Sequence, residues 1–415
     1  MAKMRSSKLR IIVLNDHGFV NGGAAQVAIA SLNALAEAGF DVTFVSSVGP
    51  VDPAIDRNLV KIINFGLHDL LSNPSRIHAA ISGIWNLHAA AYFKDVLAEF
   101  DPQNTIIHLH TWVKSLSSSV VHVATERGFK VVCTLHDYFS ICPNGGLYNY
   151  KQKKLCALEP MSLSCITSNC DTRSYGQKVW RVARQVVQNN FGHIPSGIKF
   201  FITVSDYSES ILRPGLLPTA EFFRVRNVID IGKITPSNVK ANDTFTFVGR
   251  LSPEKGCVLF ANAARIAGIG SVFVGCGEED KYIRATNQAA ELLGWQDRAG
   301  VIHAIQSSRA IVFPSLLHET QGLVVLEAAA LGIPAIVSDA CAAKEAIVDG
   351  ETGLLFRAGD LDDLAKKIMI LKNNSQLSAD LGLRAYERYW ASPCTPENHV
   401  KDLEDCYNAI MNNKD

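Results

Sequence analysis

Residues 10–45 read RIIVLNDHGFVNGGAAQVAIASLNALAEAGFDVTFV. The run Ile11–Leu14 is short, apolar, rich in β-branched residues and without alternation. That is the pattern of a strand covered on both faces of a parallel sheet. A loop containing Gly22 and Gly23 follows, and then Val27, Ala30, Leu32, Leu35 and Ala36 supply a helical apolar pattern. Gly39 is a stop signal, and Val42–Val45 predicts the next strand. Strand, helix and strand in this order make a β-α-β opening.

The same unit recurs along the chain. Strands are expected at Ile106–Leu109, Lys130–Leu135 and Lys199–Val204, with helices near Ser117–Thr125 and from Asp206 or Ser208. The pattern restarts with strands at Thr244–Val248, Ser271–Val274 and Ala310–Phe313, a helix over Gly322–Leu331 and a strand at Ala335–Val337. The fold class is therefore α/β, with two successive parallel-sheet domains. A single core rarely grows beyond about 250–300 residues, which disfavours one large domain. The polar stretch around Pro236 marks the boundary. The expected domains are 1–227, with a cysteine-bearing basic insertion at about 142–173, and 228–396. A C-terminal helix over 397–415 is able to cross back to the first domain. Its apolar spacing at Val400, Leu403, Cys406, Tyr407 and Ile410 is amphipathic.

Composition bounds the function classes. The 415 residues are 47% apolar and 19% charged, too apolar for disorder. Basic and acidic residues balance at 40 each, which argues against a nucleic-acid binder. The balance is uneven: a net +6 through Asn227 and −6 from Val228 onward. The apolar run after the basic start is broken by Asn15 and Asp16, too soon for a signal peptide. A cytoplasmic chain is expected, peripheral on the inner face of a membrane if the basic half meets lipid.

Ligands of open parallel sheets bind beyond the C-terminal ends of the strands. Gly22 and Gly23 lie there, before a helix N-terminus that favours an anion, although GGAAQ also reads as an ordinary turn. His108, His110 and His136 end two successive strands. A metal trio with Asp137 is one reading. The other makes His136 a hydrogen-bond donor to a hydroxyl or phosphate and His108 a packed supporting residue. In residues 249–256, GRLSPEKG, Arg250 and Lys255 emerge from one turn, as a diphosphate clamp requires. The spacing of a Walker A loop is absent. Residues 314–339 read PSLLHETQGLVVLEAAALGIPAIVSD. With Glu319 in a loop and Glu327 on the following helix, both can reach one cleft. Helix-start N–H groups near Gly322 and Leu323 would lie between them. Glu327 stands among apolar neighbours and needs partners, which ligand hydroxyls would supply.

FVGRLSPEKG (247–256), FVGCGEE (273–279), residues 311–339 and VDGETGLLF (348–356) together resemble the retaining glycosyltransferases of the GT-B fold, family 4. The resemblance implies two Rossmann-like domains facing across a cleft, the donor on the C-terminal one and the acceptor on the N-terminal one. It implies that Arg250 and Lys255 bind the diphosphate of a nucleotide-sugar donor. Glu319, the first acid of the E-x7-E motif, would touch the donor sugar, and Glu327 the ribose. Gly322 and Leu323 would offer backbone groups to the diphosphate. Gly23 would approach it closely, and His136 would touch the sugar or support the reaction. The base would pack near Cys276, Gly277 and the 294–300 loop. The implied mechanism is front-face substitution with no metal or other cofactor required. The acceptor would be a saccharide or a lipid-pyrophosphate-linked saccharide, in polysaccharide or glycolipid synthesis. Gln321 departs from the family's usual Phe, Tyr or Pro. A nucleotide-sugar epimerase, a phosphorylase and a catalytically silent nucleotide-sugar-binding subunit are the alternatives.

Cys142, Cys156, Cys165 and Cys170 fall in a segment of little periodicity. Structural zinc, disulfides and unconnected thiols are the three readings. The same segment carries Lys151, Lys153, Lys154, Arg173, Lys178, Arg181 and Arg184 against Glu159 and Asp171. It suits an anionic acceptor, an anionic membrane surface or a solvated face.

Overall fold

A computed structural model describes residues 9–413. The basic start at residues 1–8 lies outside them. Two compact units emerge. The first comprises the chain up to Gly146, Leu158–Val228 and the segment from Cys394. The second comprises Leu147–Ala157 and Ile229–Pro393. Part of the insertion assigned from sequence to the first domain thus groups with the second, and residues 394–396 group with the first. The reason is local: 147–157 folds as its own small hairpin, and Cys394 leads directly into the last helix.

The first unit holds strands β1 (Arg10–His17), β2 (Asp41–Val48), β3 (Val60–Asn64), β4 (Thr105–Leu109) and β5 (Lys130–Thr134). The hairpin β6 (Tyr148–Asn149) and β7 (Lys154–Leu155) comes next in the chain, followed by β8 (Phe200–Thr203) and β9 (Glu221–Arg224). Its sheet runs β3-β2-β1-β4-β5-β8-β9, and every pairing is parallel. The helices are α1 (Gly23–Glu37), α2 (Arg76–Ile84), α3 (Leu87–Leu97), α4 (Ser119–Glu126), α5 (Leu163–Thr167), α6 (Tyr175–Asn190) and α7 (Asp206–Leu212). The edge strands β3 and β9 are half-buried and lack the unbroken apolar run of a central strand, which hides them from a reading by apolar runs.

The second unit repeats the plan. Its strands are β10 (Thr244–Val248), β11 (Gly270–Val274), β12 (Ala290–Gly294), β13 (Ser308–Phe313), β14 (Ala335–Ser338) and β15 (Gly353–Phe356). They form a parallel sheet in the order β12-β11-β10-β13-β14-β15. The helices are α8 (Cys257–Ala267), α9 (Asp280–Thr286), α10 (Arg298–Gln306), α11 (Leu323–Ala330), α12 (Leu361–Asn373) and α13 (Ser375–Ala391). In each sheet the strand order reverses beside the first strand of the unit, β1 or β10. Such a switch point is where open α/β sheets bind ligands.

Helix α14 (Pro396–Asn412) closes the chain. Thr395 caps it and Pro396 occupies its first turn, the position where a missing N–H costs least. Its Leu403, Cys406, Tyr407 and Ile410 join Ile11, Val13, Leu32 and Phe44 in the core of the first unit. The Tyr407 hydroxyl lies 2.7 Å from His108 Nδ1, and His399 bonds Ser31 Oγ at 2.7 Å. No described helix is long and apolar enough to cross a membrane.

Tyr407→Ala should lower the unfolding free energy by about 3 kcal/mol or more, as for other large buried aromatic side chains. Tyr407→Phe should lower it by only about 1 kcal/mol, the loss of one buried hydrogen bond. Urea unfolding followed by far-UV circular dichroism measures both.

Candidate active site

In the second unit, Gly249–Gly256 leaves the end of β10 as a turn, and Pro314–Gly322 leaves the end of β13. The two loops are locked backbone to backbone. Gly256 has φ +70°, and a Cβ there would sit 2.1 Å from the Pro314 carbonyl oxygen, so only glycine fits. Leu316 N donates to Glu254 O at 2.8 Å. This lock sets Lys255 Nζ 2.5 Å from Glu319 Oε1, and Ser315 Oγ donates to the same oxygen at 2.8 Å. Arg250 Nη2 meets Glu254 Oε1 at 2.7 Å, which also accepts from Ser252 Oγ at 2.8 Å. Glu254 is buried while the Arg250 side chain is 66% exposed. The guanidinium therefore reaches solvent from a buried anchor that sequence reasoning passed over.

Gly322 precedes α11 at φ +109°, and a Cβ there would lie 2.5 Å from the Ala343 Cβ. The helix opens at Leu323 with no side-chain cap, leaving early backbone N–H groups to solvent or ligand. Glu327, buried on this helix, has its partner in Arg298 of α10, Nη1 to Oε1 2.5 Å. Where the sequence predicts ligand hydroxyls, the structure shows a cation 29 residues earlier in the chain. The 294–300 stretch, read as a compact loop, contains the end of β12 and the start of α10. Asp297 caps that helix, accepting from Gly300 N at 2.8 Å. Strand β12 escaped notice because it is an edge strand of sequence AELLG. Gly275 N donates to Gly294 O at 2.8 Å and Leu251 N to Cys276 O at 3.0 Å. Cys276 and Gly294 therefore border the Arg250 turn.

In the first unit, Gly23 is exposed and begins α1, also uncapped by a side chain. Asp16 at the end of β1 is fully buried. Its carboxylate accepts from the backbone N–H of Lys114, Ser115 and Leu116 at 2.8–2.9 Å, which fixes the loop after β4. The three histidines form a packed cluster, their rings in contact His108 to His110 and His110 to His136, and among the described residues they are not gathered as metal ligands. His108 bonds Tyr407 and Thr134, the latter at 2.6 Å. His110 Nδ1 lies 2.9 Å from His136 Nε2, and a nitrogen engaged this way is not free to ligate. Burial drives all three below the ordinary imidazole range, His108 to about 3 and His136 to about 4. His136 is thus a neutral hydrogen-bonding group at physiological pH. Asp137 beside it is pushed up to about 6, chiefly by burial.

The cysteines of the insertion are free thiols. Cys142, Cys165 and Cys170 are buried. Lys178 Nζ donates to Cys165 Sγ at 3.5 Å and Asn144 Nδ2 to Cys170 Sγ at 3.1 Å. Among the described residues these sulfurs form no group at metal-ligand spacing, so of the three readings of Cys142, Cys156, Cys165 and Cys170 the structure shows unconnected thiols. Side-chain donors reach the sulfurs of Cys165 and Cys170 instead.

The basic residues divide. Lys178 is fully buried, and Lys151, Lys153 and Lys154 belong to the hairpin. Arg173, Arg181 and Arg184 join Arg76 and Lys114, unremarked in the sequence, around a cavity of about 500 Å³ whose apolar wall includes Leu70, Val113, Phe139 and Trp180. Arg184 is 5% exposed. It donates to Pro143 O at 3.0 Å and stacks on Phe139 and Trp180. Its Nε has no partner, and burial lowers its pKa to about 10. Arg181 pairs with buried Asp171 at 2.7 Å. Such a wall suits an anion that carries an apolar group.

Comparison with known proteins agrees with this layout. Residues 233–388 match the family described as glycosyl transferases group 1. Residues 21–189 match glycosyltransferase family 4. Together the two matches cover more than three quarters of the chain, one on each unit, and the chain belongs to the glycosyltransferases of the GT-B fold. It is 25% identical to an uncharacterized 42.6 kDa protein of the cps region of Klebsiella pneumoniae, over 74% of this chain and 78% of that one. It is 31% identical to the phosphatidyl-myo-inositol mannosyltransferase of Mycolicibacterium smegmatis, over 35% of this chain and 40% of that one. Among solved structures it is similar to HepE of Anabaena in complex with UDP, with a TM-score of 0.64 at 17% identity, covering 97% of this chain and all of that one. It is also similar to sucrose-phosphate synthase of Thermosynechococcus elongatus, with a TM-score of 0.72 at 18% identity, covering 97% and 99%.

The histidine cluster predicts a pH dependence of stability. Each folded pKa lies below the unfolded value of about 6.5, so the unfolded state binds more protons as pH falls. The stabilisation is complete above about pH 6.5 and is lost progressively toward pH 4 and below. The urea midpoint should therefore fall between pH 7 and 5, and His108→Gln should flatten that slope.

Proposed function

We propose that the chain is a retaining glycosyltransferase. It moves a hexose-type sugar from a nucleotide-diphosphate sugar to a saccharide or lipid-linked saccharide acceptor, in polysaccharide or glycolipid synthesis. The observation that carries this reading is the pair of cations on one turn, Arg250 and Lys255, each held by a carboxylate. A diphosphate entering there competes with Glu254 and Glu319 for two pre-positioned cations and meets the open N-terminus of α11. The names of similar proteins support the class: a galactosyltransferase of Escherichia coli whose acceptor is a diphosphoundecaprenol-linked sugar, and a capsular polysaccharide glycosyltransferase of Staphylococcus aureus.

The chemistry follows from charge. A double displacement uses a nucleophilic carboxylate and an acid/base carboxyl about 5–5.5 Å apart. Glu327 is held by Arg298 and is read as the ribose ligand, which leaves Glu319 without the second carboxyl that such a pair needs. The reading is instead a front-face substitution. The acceptor hydroxyl attacks the anomeric carbon from the side on which the nucleotide leaves. The C–O bond to the phosphate breaks, a new glycosidic C–O bond forms, and the departing phosphate oxygen takes the hydroxyl proton. Arg250 and Lys255 stabilise the charge on the leaving group, the task a divalent metal performs elsewhere. When diphosphate takes over Lys255, the Glu319 carboxylate is released to hydrogen-bond the donor sugar. Glu327, oriented by Arg298, receives the ribose hydroxyls. Neutral His136 supports the sugar by hydrogen bonding. The cationic cavity of Arg76, Lys114, Arg173, Arg181 and Arg184 receives the anionic part of the acceptor.

A thermal-shift panel of UDP, GDP, ADP and their sugars without added metal should show selective stabilisation by one nucleotide, through mass action. Lys255→Ala should abolish that shift and lower kcat/KM about 100-fold or more, as removal of a charge-stabilising donor does. An unchanged rate would refute the site, and an epimerised donor with no transfer product would favour the epimerase alternative.

A membrane-facing role rests on a second observation. Ile77 and Ile81 of α2 and Val179 and Val186 of α6 are exposed large apolar residues, Arg76 opens α2, and Arg173 stands two residues before α6. The protein should sediment with anionic vesicles at low salt and be released as salt rises. Equal recovery with neutral vesicles would count against it.

A further inference from the structure

His122 and Glu126 stand one turn apart on α4, so both side chains leave the same face of the helix. The loop that follows α6 brings His193 against them. One nitrogen of each imidazole and one oxygen of the Glu126 carboxylate all lie within 4.8 Å of one another. Among the described residues they are the one group of three or more histidine, cysteine or acidic ligand atoms gathered this closely. His193 Nε2 is 3.8 Å from Glu126 Oε1, too far for a hydrogen bond. The two rings are nearly parallel, with centroids 5.3 Å apart and planes at 17°. The buried Nδ1 of His122 has no hydrogen-bond partner, while Trp85 packs edge-on against the ring at 5.5 Å. An imidazole nitrogen buried without a partner is costly. Its wasted capacity, beside a second imidazole and a carboxylate, points to a ligand.

We propose that His122, Glu126 and His193 bind a zinc ion, with a fourth position open to water or another donor. Two imidazoles and one carboxylate are a set that zinc accepts. Magnesium and calcium prefer shells made wholly of oxygen. The carboxylate leaves one net positive charge on the ion, and Glu126 is largely exposed, so the site has an entry path. His193 is about one-third exposed and has room to turn its nitrogen toward the ion. The zinc would tie the end of α6 to α4. Because Gln177, Trp180, Arg181 and Arg184 of α6 line the cationic cavity, the ion fixes the far end of a cavity-forming helix. The site shares no residue with the Arg250–Glu319 cluster, so it stands or falls independently of the transferase reading.

The test uses the full chain, stripped of metal by chelator, and titrates it with zinc chloride by calorimetry and thermal shift, with magnesium chloride for comparison. The thiols also attract zinc, so the decisive quantity is the equivalent lost on substitution. His122→Ala and His193→Ala should each lose one zinc equivalent and the zinc-dependent rise in melting temperature, and Glu126→Gln should bind that equivalent more weakly. Far-UV circular dichroism checks that the variants fold. Should His122→Ala misfold, the surface variant Glu126→Gln carries the test. Zinc uptake identical in the parent and all three variants, no uptake by the parent, or magnesium bound as tightly as zinc would each overturn the proposal.

Discussion

The candidate site of the second unit depends on one close approach, that of the Gly256 α-carbon to the Pro314 carbonyl. No side chain fits between them, and the contact joins the loop after β10 to the loop after β13. Neighbouring strands of a parallel sheet leave their C-terminal ends side by side, but nothing in the sheet itself makes those loops touch. The glycine contact does, and Lys255 then reaches Glu319 at 2.5 Å. Its consequence is electrostatic. A lysine and a glutamate held together between loops fix each other's orientation, and an incoming anion finds the cation already aimed. Arg250 is arranged by the same rule, with Glu254 buried beneath it as its anchor.

The first unit is organised by buried polar groups of a different kind. The Asp16 carboxylate satisfies three backbone N–H groups of one loop, and a carboxylate so engaged repays much of its desolvation. The neighbouring histidines remain neutral: His110 bonds His136, and His108 bonds Thr134 and Tyr407 of the last helix. The C-terminal helix therefore does more than cover apolar surface, since its tyrosine hydrogen-bonds His108, which in turn bonds Thr134 of β5. A change in α14 should be felt at the strand ends through hydrogen bonds rather than through charge.

Charge is concentrated where the apolar surface opens. The cavity beside α6 sets arginines against Phe139 and Trp180, and Arg184 is held between aromatic faces with its Nε unpartnered. Like charges gathered in a partly buried site are self-repelling until an anion enters. The positive excess of the N-terminal half is thereby a feature of one place as well as of composition.

Sequence alone determined the two α/β units, their central strands and the residues of the cation turn. Periodicity, glycine positions and local charge are written in neighbouring residues. It also singled out Glu319 and Glu327 as able to reach one cleft, and Glu327 as a carboxylate needing partners. What only the tertiary structure decided is who those partners are. Arg298 for Glu327, Arg76 and Lys114 with the arginines of α6, and His193 against His122 are all pairings across separate elements, and even Glu254 beneath Arg250, four residues on in the same turn, depends on how that turn is folded. Edge strands such as β12 were equally illegible, because a half-exposed strand of five residues carries little apolar pattern. Local structure follows from spacing along the chain, whereas a polar side chain's partner depends on which loops the packing of strands and helices brings within about 3 Å, the range of a hydrogen bond.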